Sequence, residues 1–132
     1  MKQVFDIKTS SRNQLIDITP TVEEFVKLSE VESGICVIYT PHTTTAITIN
    51  ENADPSVKAD IIRKLADIFP HEDNYQHLEG NADAHLKSSA IGCSETVVIA
   101  DGSLILGTWQ GIMFCEFDGP RQRRFIIKIF NG

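Results

Sequence analysis

Long apolar runs are missing from this sequence; the most extended, such as Ile35 to Tyr39, cover only a few residues. A bilayer-spanning helix needs roughly 20 such residues, so no membrane association is expected. The opening residues, Met1-Lys2-Gln3-Val4-Phe5-Asp6, carry no apolar stretch and no small-residue cleavage site, which counts against a secretory signal. Cysteine is scarce. Cys36, Cys93 and Cys115 are an odd number and widely spaced, which predicts reduced, mostly buried thiols in a cytoplasmic protein and not a disulfide framework. Positive charge is also in short supply, with 12 Lys and Arg against 18 Asp and Glu and a net charge of −6. Binding to a phosphate backbone needs the opposite excess, so a nucleic-acid partner is not expected.

What is present fits one folded domain over residues 1–132. Hydrophobic residues make up 42% and charged residues 23%, the balance of a globular chain able to bury a core. The charge is uneven. Arg121, Arg123, Arg124 and Lys128 fall in the last twelve residues, leaving a net charge of −10 on the first 120. A local basic cluster on an acidic protein suits a small anionic ligand better than a polymer. A solvated strand face or a subunit contact is the competing explanation.

Val4 to Ile7 and Leu15 to Ile18 read as short strands. Thr19-Pro20 predicts a helix start with Thr19 as its N-cap, and Val22, Phe25 and Val26 supply its apolar side up to Glu32-Ser33-Gly34. Ile35 to Tyr39 and the β-branched stretch Thr43 to Ile49 predict strands. Asp54-Pro55 repeats the cap-then-proline signal, and Val57, Ile61, Ile62, Leu65 and Ile68 follow at helical spacing up to Pro70. His71 to Asn81 is polar and turn-rich, and a short helix is expected over Ala82 to Ile91, ending at Gly92. Beyond it, Asp101-Gly102 predicts a hairpin between Thr96–Ala100 and Ser103–Leu106. Ile112–Phe117 and Phe125–Phe130 are expected as a second pair across Asp118-Gly119-Pro120. About seven strands with two or three helices, without regular βαβ alternation, make this an α+β fold: a mostly antiparallel, sandwich-like sheet core.

Three histidines sit in separate segments with chemical potential. His42 follows Pro41 at a predicted strand end, and His77 and His85 flank Glu79, Asn81 and Asp83. Imidazoles gathered in this way can hold a divalent ion, with the nearby polar residues as further ligands, orienting partners or a base. The eight-residue separation of His77 and His85 is not a tight ligand spacing, and ordinary surface or capping histidines are the competing explanation. His71 fits that explanation best. Asn50 and Glu51 lie where a strand ends and a helix N-terminus begins, a position that can present a pocket carboxylate or receive an anion. Gly107-Thr108-Trp109-Gln110-Gly111 contains the single Trp, which either walls a pocket beside an orienting Gln110 or fills a bulge or interface. Arg121 and Arg123 are candidate anion clamps.

Four segments together resemble a known family. They are Pro41-His42-Thr43-Thr44 with Thr48 to Asn52, Glu79 to Ser89, Leu106 to Gly111, and Glu116 to Arg121. In this order, and with the Gly-Thr-Trp-Gln element, they are similar to the YjbQ-like family, also called the secondary thiamine-phosphate synthase family. The resemblance implies a homotrimer with ligand sites near subunit boundaries. It also implies a weak activity that joins a pyrimidine pyrophosphate to a thiazole phosphate, with the primary role unsettled. The family's recurring histidines fall on His42, His77 and His85, which on this resemblance are the metal ligands.

The resulting expectation is a metal-assisted enzyme acting on a small phosphorylated or otherwise anionic metabolite. Zn²⁺ or Mg²⁺ is the cofactor. His42, Glu51 and Gln110 are the expected catalytic residues. Thr43, Asn50, Asn81, Trp109, Gln110, Arg121 and Arg123 are expected to hold the anion. The alternative is a non-enzymatic trimer that binds a small anion or a metal.

Overall fold

The computed structural model describes all 132 residues as eight strands and three helices. Strands β1 (Lys2–Lys8), β3 (Gly34–Tyr39), β5 (Ser94–Ala100), β6 (Ser103–Leu104) and β8 (Gln122–Asn131) form a five-stranded sheet in the order β1-β8-β3-β5-β6. Strands β2 (Gln14–Asp17), β4 (Thr45–Glu51) and β7 (Gln110–Glu116) form a three-stranded sheet with β7 at its centre. Every pairing is antiparallel. The helices are α1 (Thr19–Ser29), α2 (Pro55–Ile68) and α3 (Ala82–Ile91). None is long and apolar enough to cross a membrane.

Alternation along the strands sorts the core into two parts. Cys36, Ile38, Val97, Ile99, Phe125 and Ile127 from the larger sheet meet Ile47, Ile112 and Phe114 from the smaller one, with Val22, Phe25 and Val26 of α1 closing the cluster. On the other face of the smaller sheet, Leu15, Ala46, Met113 and Cys115 pack with Ala84 of α3 and with the half-buried Ile61, Ile62 and Leu65 of α2. Strand β7 is therefore covered on both faces, which is why Ile112 to Cys115 reads as an unbroken apolar run.

The structure corrects two local expectations. Thr19 is not the cap of α1; the cap position is Ile18, which offers no side-chain bond. The Thr19 hydroxyl instead accepts from the Ile112 N–H at 2.8 Å, so a tertiary bond to β7 takes the place of a local one. The second expected strand pair also separates: β7 and β8 belong to different sheets, and the Asp118-Gly119-Pro120 segment carries the chain from one to the other. The Asp101-Gly102 hairpin forms as expected. Both turn residues have positive φ (52° and 75°), as a type I′ turn requires.

Candidate functional site

Strand β3 ends at Tyr39 and β4 begins at Thr45, and the bend between them carries His42. The bend is fixed from below by a 2.7 Å hydrogen bond between the Thr40 and Thr45 hydroxyls, both buried. The Arg124 N–H donates to His42 Nε2 at 3.1 Å. Burial, together with the charges of Arg123 and Arg124, lowers the His42 pKa from its ordinary 6.5. The ring is thus neutral near pH 7. Because Nε2 accepts, its proton sits on Nδ1, which is left as a donor.

His85 lies on the first turns of α3, and His77 on the loop before it. Their rings stack, with 5.1 Å between centroids and 28° between planes. His42 and His85 line one open cleft of about 380 Å³ with Thr44, Glu79, Asn81 and Arg121. Thr43 lines it too, so five of the residues singled out in the sequence, His42, Thr43, Asn81, His85 and Arg121, come together here. His71 stands apart and bonds the Gly80 carbonyl at 2.9 Å, tying the loop's two ends.

The three imidazoles do not form a ready coordination set. Nowhere in the single chain do three or more His, Cys, Asp or Glu side chains gather closely enough to hold a metal ion. Two local reasons are visible. His77 is turned to Glu79: its Nδ1 accepts from the Glu79 N–H at 3.5 Å, and its Nε2 lies 3.9 Å from the Glu79 carboxylate. The Nε2 lone pair of His42 is already engaged by Arg124. Oxygen donors are better placed. Asn81 Nδ2 donates to Asp118 Oδ2 at 2.8 Å, which fixes the amide's orientation and leaves its buried Oδ1 without a partner. That orphan acceptor, beside Glu79 and His85, suits an oxygen-preferring divalent ion or a donor group brought in by a ligand.

Beneath the cleft lies a charged network that the sequence reading missed. Arg123 is 6% exposed and faces the fully buried Glu116. It donates from Nε to Oε1 at 2.9 Å and from Nη2 to Oε2 at 2.6 Å, with a further bond from Nη2 to Thr44 Oγ1. Arg123 is therefore occupied internally and is not a free anion clamp. Burial alone raises the Glu116 pKa, but hydrogen bonds from Arg123, Thr9 and the Asp118 N–H outweigh it and hold the carboxyl below its ordinary 4.5. Arg12 bridges Asp83 (3.2 Å) and Asp118 (3.4 Å), and the buried Lys87 lies 3.6 Å from Asp83. Arg121 also holds Asp118, at 2.9 Å, but its side chain is half exposed and borders the cleft. Of these contacts, the i,i+4 spacing of Asp83 and Lys87 on α3 was the one signal in the sequence.

The remaining expected site residues lie elsewhere. Asn50 and Glu51 are at the far end of β4 and pair with Gly111 and Gln110. Six residue steps of strand separate Thr45 from Glu51, roughly 20 Å. Glu51 Oε2 accepts from the Ala53 N–H, and Gln110 Oε1 accepts from the Gly107 N–H, so both side chains shape their own turns. Gly111 permits a close approach: a Cβ there would lie 2.5 Å from the Asn52 side chain. Trp109 is 63% exposed. Within one chain the histidine cleft and the Trp-Gln loop are two separate places.

The model of the family described as "UPF0047 protein YjbQ-like" matches residues 3–132. The chain belongs to this family. Among its relatives, the UPF0047 protein of Methanocaldococcus jannaschii is 59% identical over 96% of this chain and 92% of its own length. YugU of Bacillus subtilis is 52% identical over 99% and 100%. The fold agrees with solved members. A YjbQ/UPF0047 protein of Clostridium acetobutylicum superposes with a TM-score of 0.96 at 50% identity, covering 97% of this chain and 99% of that one. A Sulfolobus solfataricus protein of unknown function gives 0.97 at 32% identity, covering 100% and 97%. The family's fold is thus that of this chain, and the names of these relatives assign no reaction.

Proposed function

We propose that the histidine cleft binds a small phosphorylated metabolite together with a divalent ion, in a homotrimeric protein that acts on that metabolite. The observation that carries this reading is the Asn81 carbonyl oxygen, buried without a partner on a wall shared with His42, His85 and Arg121. His42 offers its Nδ1–H to a phosphate oxygen, and the half-exposed Arg121 adds a guanidinium at the rim. Asn81 Oδ1 and Glu79 offer oxygens to the cation that a phosphate carries with it. A bound Mg²⁺ or Zn²⁺ would supply polarisation of a phosphoryl oxygen. His85, with no charged partner, is the group left to exchange a proton with the ligand.

Calorimetric titration with inorganic phosphate, with and without Mg²⁺ or Zn²⁺, tests this. Binding that strengthens with the ion, and weakens about tenfold or more in His85→Ala and in Arg121→Ala, is the expected result. Absent binding, or affinity unchanged in both variants, sinks it. The thiamine-phosphate synthase activity implied by the family is a narrower form of the same proposal. Product formation that survives both His42→Ala and Glu51→Ala would assign that activity to a contaminant.

The trimer enters because the two halves of the expected site are so far apart in one chain. A neighbouring copy could bring its Trp109-Gln110 loop toward the cleft. The larger sheet offers a face for such an assembly: Ile35 pairs with Val98 on one side and Phe130 on the other, and all three are exposed.

One observation favours a binding protein without turnover. The buried thiols and carboxylates are not prepared as nucleophiles: burial pushes the Cys36 and Cys115 thiols up to about 11 and about 12, and Glu116 and Asp118 are tied in ion pairs. Binding of phosphate without turnover across phosphate esters and pyrophosphates would select that reading.

A further inference from the structure

The charged cleft has an uncharged neighbour. A second open cleft, of about 600 Å³, shares Pro41, His42, Thr43 and His85 with the first. Its remaining wall is formed by Tyr39, Thr40, Ser88, Ser89, Gly92 and Cys93, and no Asp, Glu, Lys or Arg lines it. The first cleft, in contrast, is lined by two carboxylates and two guanidinium groups. The two imidazoles stand between them.

The hydroxyls of the second cleft divide into two kinds. Thr40 is bonded to Thr45, and Ser88 donates to the Thr45 carbonyl at 2.6 Å, so both serve the fold. The exposed Ser89 hydroxyl, the Thr43 hydroxyl, the Tyr39 ring and the exposed Cys93 thiol face whatever enters. Small polar groups beside one aromatic ring suit an uncharged organic moiety, whereas a charged group placed there would find no counter-ion.

We infer that the two clefts take the two ends of one ligand, an uncharged organic group held as a phosphate ester. The phosphate lies in the charged cleft and the organic part beside Tyr39, Ser89 and Cys93. The ester bond then falls between His42 and His85. This rests on the phosphate reading above and adds to it a second subsite, which holds the uncharged part of the molecule.

Inorganic phosphate and phenyl phosphate are the probes, titrated into the full chain in the presence of Mg²⁺. The ester should bind about tenfold or more tightly than phosphate, because its ring gains contacts that phosphate lacks. Cys93→Trp and Ser89→Trp, both at exposed positions, should each abolish that advantage while leaving phosphate affinity within about twofold, since they fill only the second cleft. Cys93 should alkylate with N-ethylmaleimide while the buried Cys36 and Cys115 do not, and phenyl phosphate should slow that reaction where phosphate does not. If phosphate fails to bind the unaltered protein, the anion site and this inference fall together. Equal affinity for the two probes, or Trp variants that weaken both alike, overturns this inference alone.

Discussion

Glu116 and Arg123 lie on strands of different sheets and meet with both side chains buried. Removing one partner strands the other's charge, so Arg123→Met should cost about 3–5 kcal/mol in urea denaturation. Arg121→Ala, at the half-exposed edge of the network, should cost under about 1 kcal/mol. Equal losses would mean that burial does not set the difference. The same residues fix the pH dependence. Glu116 has a pKa below 4.5 in the folded state, so its contribution is present above 4.5 and is lost as pH falls through the folded value. His42 is also held below its ordinary 6.5, so the unfolded chain takes that proton first. Stability should therefore begin to fall below pH 6.5, and His42→Gln should remove that first decline while leaving the more acidic one. A flat profile between pH 6.5 and 5 in the unaltered protein would contradict the assignment.

Helix α2 shows how local signals and tertiary packing divide the work. Its start is written in Asp54-Pro55-Ser56: Asp54 Oδ1 accepts from the Ser56 N–H at 2.9 Å and from its hydroxyl at 2.7 Å. Asp54→Ala should lower both the thermal and the urea unfolding midpoints, because the Ser56 N–H loses its cap. Its apolar stripe was equally legible, yet no residue of α2 is fully buried in the single chain. Helix α3 is the converse. It carries little amphipathic pattern because it buries Asp83, Lys87 and Ser88 along with Ala82 and Ala84. Elements that follow periodicity were legible; those held by buried ion pairs were not. The same distinction explains the site. His42, Asn81 and His85, which line one cleft, could be singled out because side-chain chemistry next to strand and helix ends is visible in sequence. Arg123 was misjudged because only coordinates reveal that Glu116, seven residues earlier, occupies it.

At the scale of the whole molecule, the outward face of the larger sheet and the division of the expected site both bear on assembly. If the face carrying Ile35, Val98 and Phe130 joins copies of the chain, Val98→Glu should shift the mass seen by light scattering from trimer to monomer, because a carboxylate there would be buried unpaired. A monomeric unaltered protein would remove the need for that interface. Occupation of the histidine cleft is read directly from the imidazole ¹⁵N resonances of His42, His71, His77 and His85 during a phosphate titration. Binding between the walls described here predicts saturable shifts at His42 and His85 and none at His71. No shift at either ring, or one confined to His71, would contradict it.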